Sequence, residues 1–290
     1  GGEIVFDVSD VRPRGSIIHG FGGTASGPGP LIEMLANVAD VLNRCVGRPY
    51  ASLDLMEVDH AIAAAVIAGG VRRSARMSIK HWADHDILDF ISCKADPADH
   101  WSSNISVSVD SAFFAALDAG VPQARVVMEE VATGMAVNGE PGLVNMALAQ
   151  VGEASTDLVP NPCGEIFLEP FEPCCLGHGN DLRGTAEAVR LVARFLVRAT
   201  FAAADDQRQR EVVDRNRRIG VGLTGFTEWG AAHGYKYSEI ADSEIMGAKL
   251  GVLRDEAVRA SDQYAAVLGI PAPIKHTCVA PTGSVSTLPG

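Results

Sequence analysis

A short segment near the middle of the chain combines an amide, a thiol and a carboxylate. Residues 161–165 have the sequence Asn-Pro-Cys-Gly-Glu. In an extended backbone the side chains of Asn161, Cys163 and Glu165 lie on one side, because side chains alternate along a strand. Pro162 lacks the N–H that a central strand needs, so a loop tip is favoured. The segment therefore predicts three different polar groups that face one substrate.

The neighbours of Cys163 favour hydrogen-atom chemistry over acyl transfer. A carboxylate beside a thiol raises the thiol pKa, because like charges disfavour the thiolate. No histidine adjoins the segment to activate a nucleophile. A neutral thiol can carry a radical, while the amide holds one hydroxyl and Glu165 takes a proton from another. Taken alone, the five residues could also be a chance combination around a buried cysteine that has no chemical role.

Around this segment, the sequence pattern alternates between helices and short apolar strands. This order predicts an α/β fold with largely parallel strands. Apolar spacing predicts helices at about residues 30–42, 58–68, 111–119, 123–136, 184–204 and 239–268. Strands are predicted at residues 104–109, 218–225 and 274–279. Residues 157–168 are predicted to be extended, because Pro160 and Pro162 disfavour a helix.

The composition is that of an ordinary globular protein and excludes several classes of function. Of the 290 residues, 47% are hydrophobic and 21% are charged, and the formal net charge is −12. The acidic balance argues against a nucleic-acid-binding surface, and no apolar run is long enough to predict a membrane span. A bound phosphate must therefore be held by local N–H groups or a few arginines. Six cysteines are too few for a disulfide scaffold, so a reducing cytoplasm is predicted.

Residues 161–165 resemble the finger-loop motif of ribonucleotide reductase catalytic subunits. The resemblance implies that Cys163 becomes a thiyl radical and abstracts the 3′ hydrogen of the ribose. It implies that Glu165 deprotonates the 3′ hydroxyl and that Asn161 binds the substrate hydroxyls. It also implies that Cys174 is one half of the cysteine pair that supplies the reducing electrons. The glutamate argues against the anaerobic glycyl-radical class of the family.

Three further segments resemble functional loops of the same family. Residues 69–75 resemble the specificity loop that links the effector site to the substrate base, and its residues would be Val71, Arg72, Arg73 and Ser74. Residues 280–286 resemble the substrate phosphate loop, and its residues would be Pro281, Thr282, Gly283, Ser284 and Ser286. Residues 20–28 are similar to the adenosylcobalamin-dependent (class II) triphosphate reductases in particular. Each composition also occurs in ordinary turns and glycine-rich loops.

The resemblance covers nearly the whole chain and implies an architecture. Residues 1–290 would form the central part of a ten-stranded α/β barrel, with the radical cysteine on a finger loop through its centre. The partner of Cys174 is expected before residue 1, and the cobalamin-binding region and re-reducing cysteines are expected after residue 290. The isolated segment is expected to be inactive, and open sheet edges are expected to hinder its folding. The other cysteines are expected to be bystanders or buried apolar residues: Cys45, Cys93, Cys175 and Cys278.

The implied activity is reduction of ribonucleoside triphosphates to deoxyribonucleotides. The resemblance implies adenosylcobalamin as cofactor, a deoxynucleotide as allosteric effector and a thioredoxin-type protein as reductant. Three alternatives remain open: a segment of a diiron- or manganese-dependent (class I) large subunit, a non-catalytic nucleotide-binding protein, and a zinc-binding structural module. The zinc ligands would be Cys163, Cys174, Cys175 and His178, although this spacing fits no common zinc pattern.

Overall fold

The chain folds as two compact units, Gly1–Leu148 and Ala149–Gly290. The computed structural model describes residues 4–20, 22–68, 74–96, 98–180, 186–202 and 205–279. Each unit has its own hydrophobic core and its own parallel strands. No helix in these ranges is long and apolar enough to cross a membrane.

The first unit is built around a three-stranded parallel sheet. Its strands are β1 (Arg76–His81), β2 (Ser103–Val109) and β3 (Gly142–Asn145), in the order β1-β2-β3. Its helices are α1 (Gly29–Arg44), α2 (Ser52–Ala68), α3 (Ile87–Ser92), α4 (Ser111–Asp118), α5 (Pro122–Asn138) and α6 (Met146–Ala149), the last of which reaches the unit boundary. The central strand β2 is buried at all but one position, as expected for a strand with neighbours on both sides.

Local signals decide where the helices beside β2 begin and end. The Asp110 side chain accepts a hydrogen bond from the Phe113 backbone N–H at 2.9 Å and so caps the start of α4. Pro122 opens α5, where a missing N–H costs nothing, and Gly139 ends it with a φ of 83°. Phe113 is fully buried against the sheet. These caps agree with the two helices predicted from the sequence between residues 111 and 136.

The second unit contains one hairpin and one group of parallel strands. Strands β4 (Val159–Pro160) and β5 (Phe167–Leu168) pair antiparallel, and β6 (Leu176–Asn180) pairs parallel with β7 (Gly220–Thr224). Residues 274–279 lie along the other edge of β7, where Val221 N–H donates to His276 O at 2.9 Å. The helices are α7 (Ala186–Ala199), α8 (Gln207–Asn216), α9 (Phe226–Ala232), α10 (Tyr237–Ile240) and α11 (Glu244–Leu268).

Helix α7 joins the sheet of the second unit to α11. Its buried residues recur at helical spacing on one face: Val189, Ala193, Leu196 and Val197. They pack in one core with Val221 of β7 and Leu253 of α11. Burying a valine or leucine side chain contributes roughly 1.5–3 kcal/mol, so this stripe is a major source of the unit's stability.

The α/β class with parallel strands agrees with the sequence-based prediction, and several local predictions need correction. The extended prediction for residues 157–168 is confirmed at β4 and β5 and is wrong between them, where the chain turns. The helix predicted at 239–268 is divided into α10 and α11. The helix predicted at 184–204 is observed as α7, and residues 184, 185, 203 and 204 lie outside the described ranges. Strands β1, β3 and β6 were not predicted, since β1 is polar and half-buried and β6 is glycine-rich.

Gly134 in α5 provides a test of the packing in the first unit. A Cβ at this position would lie 2.5 Å from the backbone oxygen of Glu140 and 3.0 Å from Pro141 Cδ. Gly134→Ala is therefore expected to lower the Tm, because a backbone segment has to move. The matched control is Gly251→Ala in α11, where a Cβ would meet nothing within 4 Å. Alanine is favoured over glycine by about 1 kcal/mol inside a helix, so this control should be at least as stable as wild type. Equal stability of Gly134→Ala and wild type in thermal unfolding would contradict the close approach.

Candidate active site

The segment with the predicted radical cysteine forms the tip of the β4–β5 hairpin. Asn161 N–H donates to Ile166 O at 3.0 Å, and Gly164 N–H donates to Asn161 O at 2.9 Å. Gly164 has a φ of 80°, a left-handed conformation that glycine adopts without strain. The chain therefore reverses within residues 161–166. The strand-like alternation expected for Asn161, Cys163 and Glu165 is replaced by a turn.

The buried side chain of Asn161 holds this turn together. Its Oδ1 accepts hydrogen bonds from the backbone N–H groups of Glu165 at 3.2 Å and Ile166 at 3.4 Å. Its Nδ2 donates to Cys174 Sγ at 3.4 Å. Asn161 thus joins the hairpin that bears Cys163 to the cysteine predicted to belong to the reducing pair. The contact with Cys174 uses one of the two N–H bonds of the amide.

Glu165 is the electrostatic centre of the site. Its Oε2 atom is buried and has no hydrogen-bond partner within the described part of the chain. Leaving a buried acceptor unpaired is unfavourable, so this oxygen is a ready acceptor for a proton of a bound molecule. The charge of Glu165 also contributes to raising the pKa of the Cys163, Cys174 and Cys278 thiols. One carboxylate therefore acts on three thiols from different parts of the second unit.

The thiols near Glu165 are held in their protonated form. Desolvation raises the pKa of Cys163, and the Glu165 charge raises it further. Desolvation is also the main reason that the pKa of Cys174 rises to about 11, and Glu165 adds to it while the Asn161 hydrogen bond opposes it. Both cysteines remain exposed enough to be reached from solvent. The direction of these shifts agrees with the neutral thiol predicted beside the carboxylate.

Cys278 is a residue of the site that the sequence-based prediction missed. It was expected to be a buried apolar residue, but it is half-buried, and its pKa rises to about 11 through burial and through the charges of Glu165 and Cys174. Its Sγ lies over β7, where a Cβ on Gly220 would be 2.8 Å from it. Pairing between residues 274–279 and β7 brings this thiol to the site. The sequence predicted both strands, at residues 218–225 and 274–279, but nothing in it indicated that they pair and so bring Cys278 to the site.

Cys175 contacts helix α7 and the core of the second unit. Its Sγ lies 3.7 Å from Leu196 O in α7, and its side chain packs against the core of the second unit. The zinc-binding alternative needed Cys163, Cys174, Cys175 and His178 at one point. Within the described ranges, no three His, Cys, Asp or Glu side chains are arranged to hold a metal ion.

Two of the predicted loops lie largely outside the described residues. Of the specificity loop, Val71, Arg72 and Arg73 lie outside them, whereas Ser74 is described and its Oγ accepts a hydrogen bond from Arg76 Nε at 3.2 Å. The phosphate-loop residues Pro281, Thr282, Gly283, Ser284 and Ser286 also lie outside them. In the glycine-rich segment 20–28, residue 21 lies outside the described residues. Ile17 and Thr24 form an antiparallel bridge beside it.

Two family models match the chain. Residues 119–276 match the model described as ribonucleotide reductase, barrel domain. Residues 2–42 match the model described as B12-dependent ribonucleotide reductase, insertion domain. The second match contains residues 20–28, so the predicted similarity of this segment to the cobalamin-dependent enzymes is confirmed.

Curated relatives are similar along almost all of the chain. The putative adenosylcobalamin-dependent ribonucleoside-triphosphate reductase of Mycobacterium phage D29 is 44% identical, and the alignment covers 99% of this chain and 46% of that protein. The adenosylcobalamin-dependent ribonucleoside-triphosphate reductase of Lactobacillus leichmannii is 37% identical, with 99% of this chain and 42% of that protein covered. The chain therefore spans less than half the length of these relatives.

Solved structures show the same similarity in three dimensions. The crystal structure of a B12-dependent (class II) ribonucleotide reductase has a TM-score of 0.73 and 32% identity, and the match covers 97% of this chain and 42% of that one. The α subunit of the Actinobacillus ureae class Id enzyme has a TM-score of 0.65 and covers 88% of this chain and 57% of that one. At 16% identity, the latter shows likeness in fold alone. The barrel-domain model matches more than half of the residues of this chain. The chain therefore belongs to the ribonucleotide reductase family.

Proposed function

We propose that the whole protein reduces ribonucleoside triphosphates to 2′-deoxyribonucleotides, the precursors of DNA, through a thiyl radical on Cys163. The observation that carries this proposal is the position of Glu165. Its charge acts on both Cys163 and Cys174, and one of its oxygens is buried without a hydrogen-bond partner in the described part of the chain. The substrate class rests on the relatives, which are ribonucleoside-triphosphate reductases by name.

In the proposed mechanism each group of the hairpin performs one step. The Cys163 thiyl radical takes the hydrogen atom from C3′ of the ribose, and Glu165 accepts the proton of the 3′ hydroxyl. Asn161 binds a substrate hydroxyl through the one amide N–H that its contact with Cys174 leaves free. The 2′ hydroxyl takes a proton from one thiol of the reducing pair and leaves as water. Cys174 and its partner thiol then supply two electrons and the second hydrogen, which goes to C2′, and become a disulfide. Glu165 returns its proton to the 3′ oxygen. Return of the hydrogen atom to C3′ regenerates the Cys163 thiyl radical. The net change is that a hydrogen atom replaces the 2′ hydroxyl.

The residues at the hairpin tip fit adenosylcobalamin as the radical source. Hydrogen-atom transfer needs an intact S–H bond, and the raised pKa of Cys163 preserves that bond to a higher pH than in an ordinary thiol. The Cys163 side chain is exposed, so a hydrogen atom can be removed from it. When bound, the cofactor supplies the initiating radical. The match of residues 2–42 to a B12-dependent insertion domain favours this source over the diiron or manganese source of class I enzymes.

We also propose the finer architecture and the partners that the resemblance implies. Residues 1–290 would be the central part of a ten-stranded α/β barrel, and the β4–β5 hairpin would be its finger loop. The parallel strands and the α/β fold of this chain support this proposal. Residues 71–74 would read a deoxynucleotide effector, residues 281–286 would hold the substrate phosphates, and a thioredoxin-type protein would reduce the disulfide. The isolated chain would be inactive, because it covers less than half of its relatives.

The role of Cys163 can be tested in the full-length protein. Cys163→Ser is expected to abolish deoxynucleotide formation in the presence of adenosylcobalamin, because a hydroxyl does not replace the thiol as a radical carrier. Wild type should be active with the cofactor and inactive without it. A wild-type protein that binds nucleotide but forms no deoxynucleotide under any of these conditions would instead support the non-catalytic alternative.

The adjacent cysteines provide a matched pair for testing the reducing role. Cys174→Ala is expected to prevent repeated turnover, because one thiol of the reducing pair is absent. Cys175→Ala should retain turnover within a fewfold of wild type, since Cys175 packs against α7. The measurement is deoxynucleotide formed per enzyme with excess reductant. If Cys175→Ala is the inactive variant, the assignment of the reducing cysteine is wrong.

The effect of Glu165 on the thiols predicts how they react with iodoacetamide. Labelling of Cys174 should accelerate as the pH approaches about 11, because the thiolate is the reactive form. Glu165→Gln removes a negative charge that disfavours the thiolate, so the pKa falls and labelling at lower pH becomes about tenfold faster for each unit of the fall. Cys93 is the control: its pKa is also about 11, but Glu165 is not among the causes. Site-resolved mass spectrometry should show acceleration at Cys174 and none at Cys93.

A further inference from the structure

A buried arginine bridges two carboxylates beside the hairpin. The side chains of Arg218, Glu153 and Glu172 are 1%, 2% and 2% exposed. Arg218 donates two hydrogen bonds to Glu153, each 2.8 Å long, and its Nε lies 3.1 Å from Glu172 Oε2. Charges this deep in a protein are tolerated when they are paired, so each member of the trio depends on the others.

Four neighbouring residues extend this trio into a larger group, which we call the Arg218 cluster. Asn216 Nδ2 donates to Glu172 Oε1 at 3.1 Å and to Glu169 Oε1 at 2.8 Å. Arg215 pairs with Glu169 at 2.6 Å, and Lys275 Nζ lies 3.7 Å from Glu153. The cluster consists of Glu153, Glu169, Glu172, Arg215, Asn216, Arg218 and Lys275. Its three carboxylates face three cations, so its formal charges balance.

The cluster holds the stretch of chain that connects the two predicted functional cysteines. Glu169 follows β5 directly, and Glu172 lies two residues before Cys174. The Glu169 N–H donates to Glu172 Oε2 at 2.9 Å, which folds this stretch back on itself. The hairpin with Cys163 therefore leaves the cluster at one end, and Cys174 leaves it at the other.

We propose that Arg218 is a positioning residue that fixes Cys174 relative to the hairpin bearing Cys163. This inference rests on the proposed function, because it assigns Arg218 a part in the exchange between those cysteines. Arg218 acts through Glu172 and Glu153, which would be left buried without their shared guanidinium if it were removed. The stretch from Glu169 to Glu172 would then move toward water, and the Asn161–Cys174 contact at 3.4 Å would lengthen.

The adjacent Arg217 offers a matched control. Its side chain is 7% exposed and is thus also buried. It donates to Thr200 O at 3.1 Å and Thr200 Oγ1 at 3.0 Å, pairs with Asp214 at 2.5 Å and lies over the Phe201 ring. These contacts connect α8 to the end of α7. Arg217→Met and Arg218→Met therefore each remove a buried, paired guanidinium, but only the second loosens the stretch before Cys174.

The test uses the full-length protein with adenosylcobalamin, after reduction and removal of external reductant. Both variants are expected to lower the Tm. Arg218→Met alone should lower the rate of a single turnover, on the order of 10²-fold for a displacement of about 1 Å, with the nucleotide KM unchanged. It should also reduce the fraction of Cys174 found in a disulfide afterwards. Arg218→Lys should recover part of the rate, because it keeps the charge but cannot bridge both carboxylates in the same geometry.

Each remaining outcome decides the inference. Equal slowing by Arg217→Met and Arg218→Met, or a wild-type rate for Arg218→Met, would overturn it. If Arg218→Met does not fold, the rate of Arg218→Lys against Arg217→Lys decides in its place. If wild type forms no deoxynucleotide, the proposed function fails, and iodoacetamide labelling of Cys174 then tests the positioning separately. A changed labelling rate in the Arg218 variant but not in the Arg217 variant would support it, and equal rates would overturn it.

Discussion

The reversal of the chain at residues 161–166 is the constraint on which the candidate site depends. Its backbone N–H groups at Glu165 and Ile166 have to be satisfied without a strand partner, and the Asn161 side chain accepts both of them. The same amide reaches Cys174 with its nitrogen. A single residue therefore closes the turn and connects it to the second cysteine. The left-handed Gly164 makes this tight reversal possible without strain.

The electrostatics of the site follow from that turn. Glu165 is brought close to three thiols, and both desolvation and its charge favour the protonated form of each. A nucleophilic cysteine needs the opposite environment, with a cation or a histidine that stabilises the thiolate. The surroundings of Cys163 therefore suit transfer of a hydrogen atom from an intact thiol. This agreement between local electrostatics and radical chemistry does not depend on the family to which the chain belongs.

Support for the stretch that follows the hairpin comes from the buried charges of Arg218, Glu153 and Glu172. Removing one partner of a buried ion pair costs roughly 3–5 kcal/mol, because the remaining charge is left uncompensated. The buried members Arg218, Glu153 and Glu172 lie in three separate parts of the second unit, so this penalty acts against separation of those parts. The apolar core between α7, β7 and α11 stabilises the unit, but apolar contacts do not require one particular orientation of the groups that they join. Ionic geometry thus adds an orientation that apolar burial alone does not supply.

The residue types of the site, the α/β class and most of the helices could be predicted from the sequence. Those features depend on local patterns: a five-residue motif and the spacing of apolar side chains. Two further features depend on long-range contacts: the charge of Glu165 acts on Cys278, and Arg218 bridges Glu153 and Glu172. Strand pairing and burial join residues that are far apart in the chain. The free energy of such contacts depends on partners that no local window contains, so the sequence did not show which strands pair or which buried charges meet.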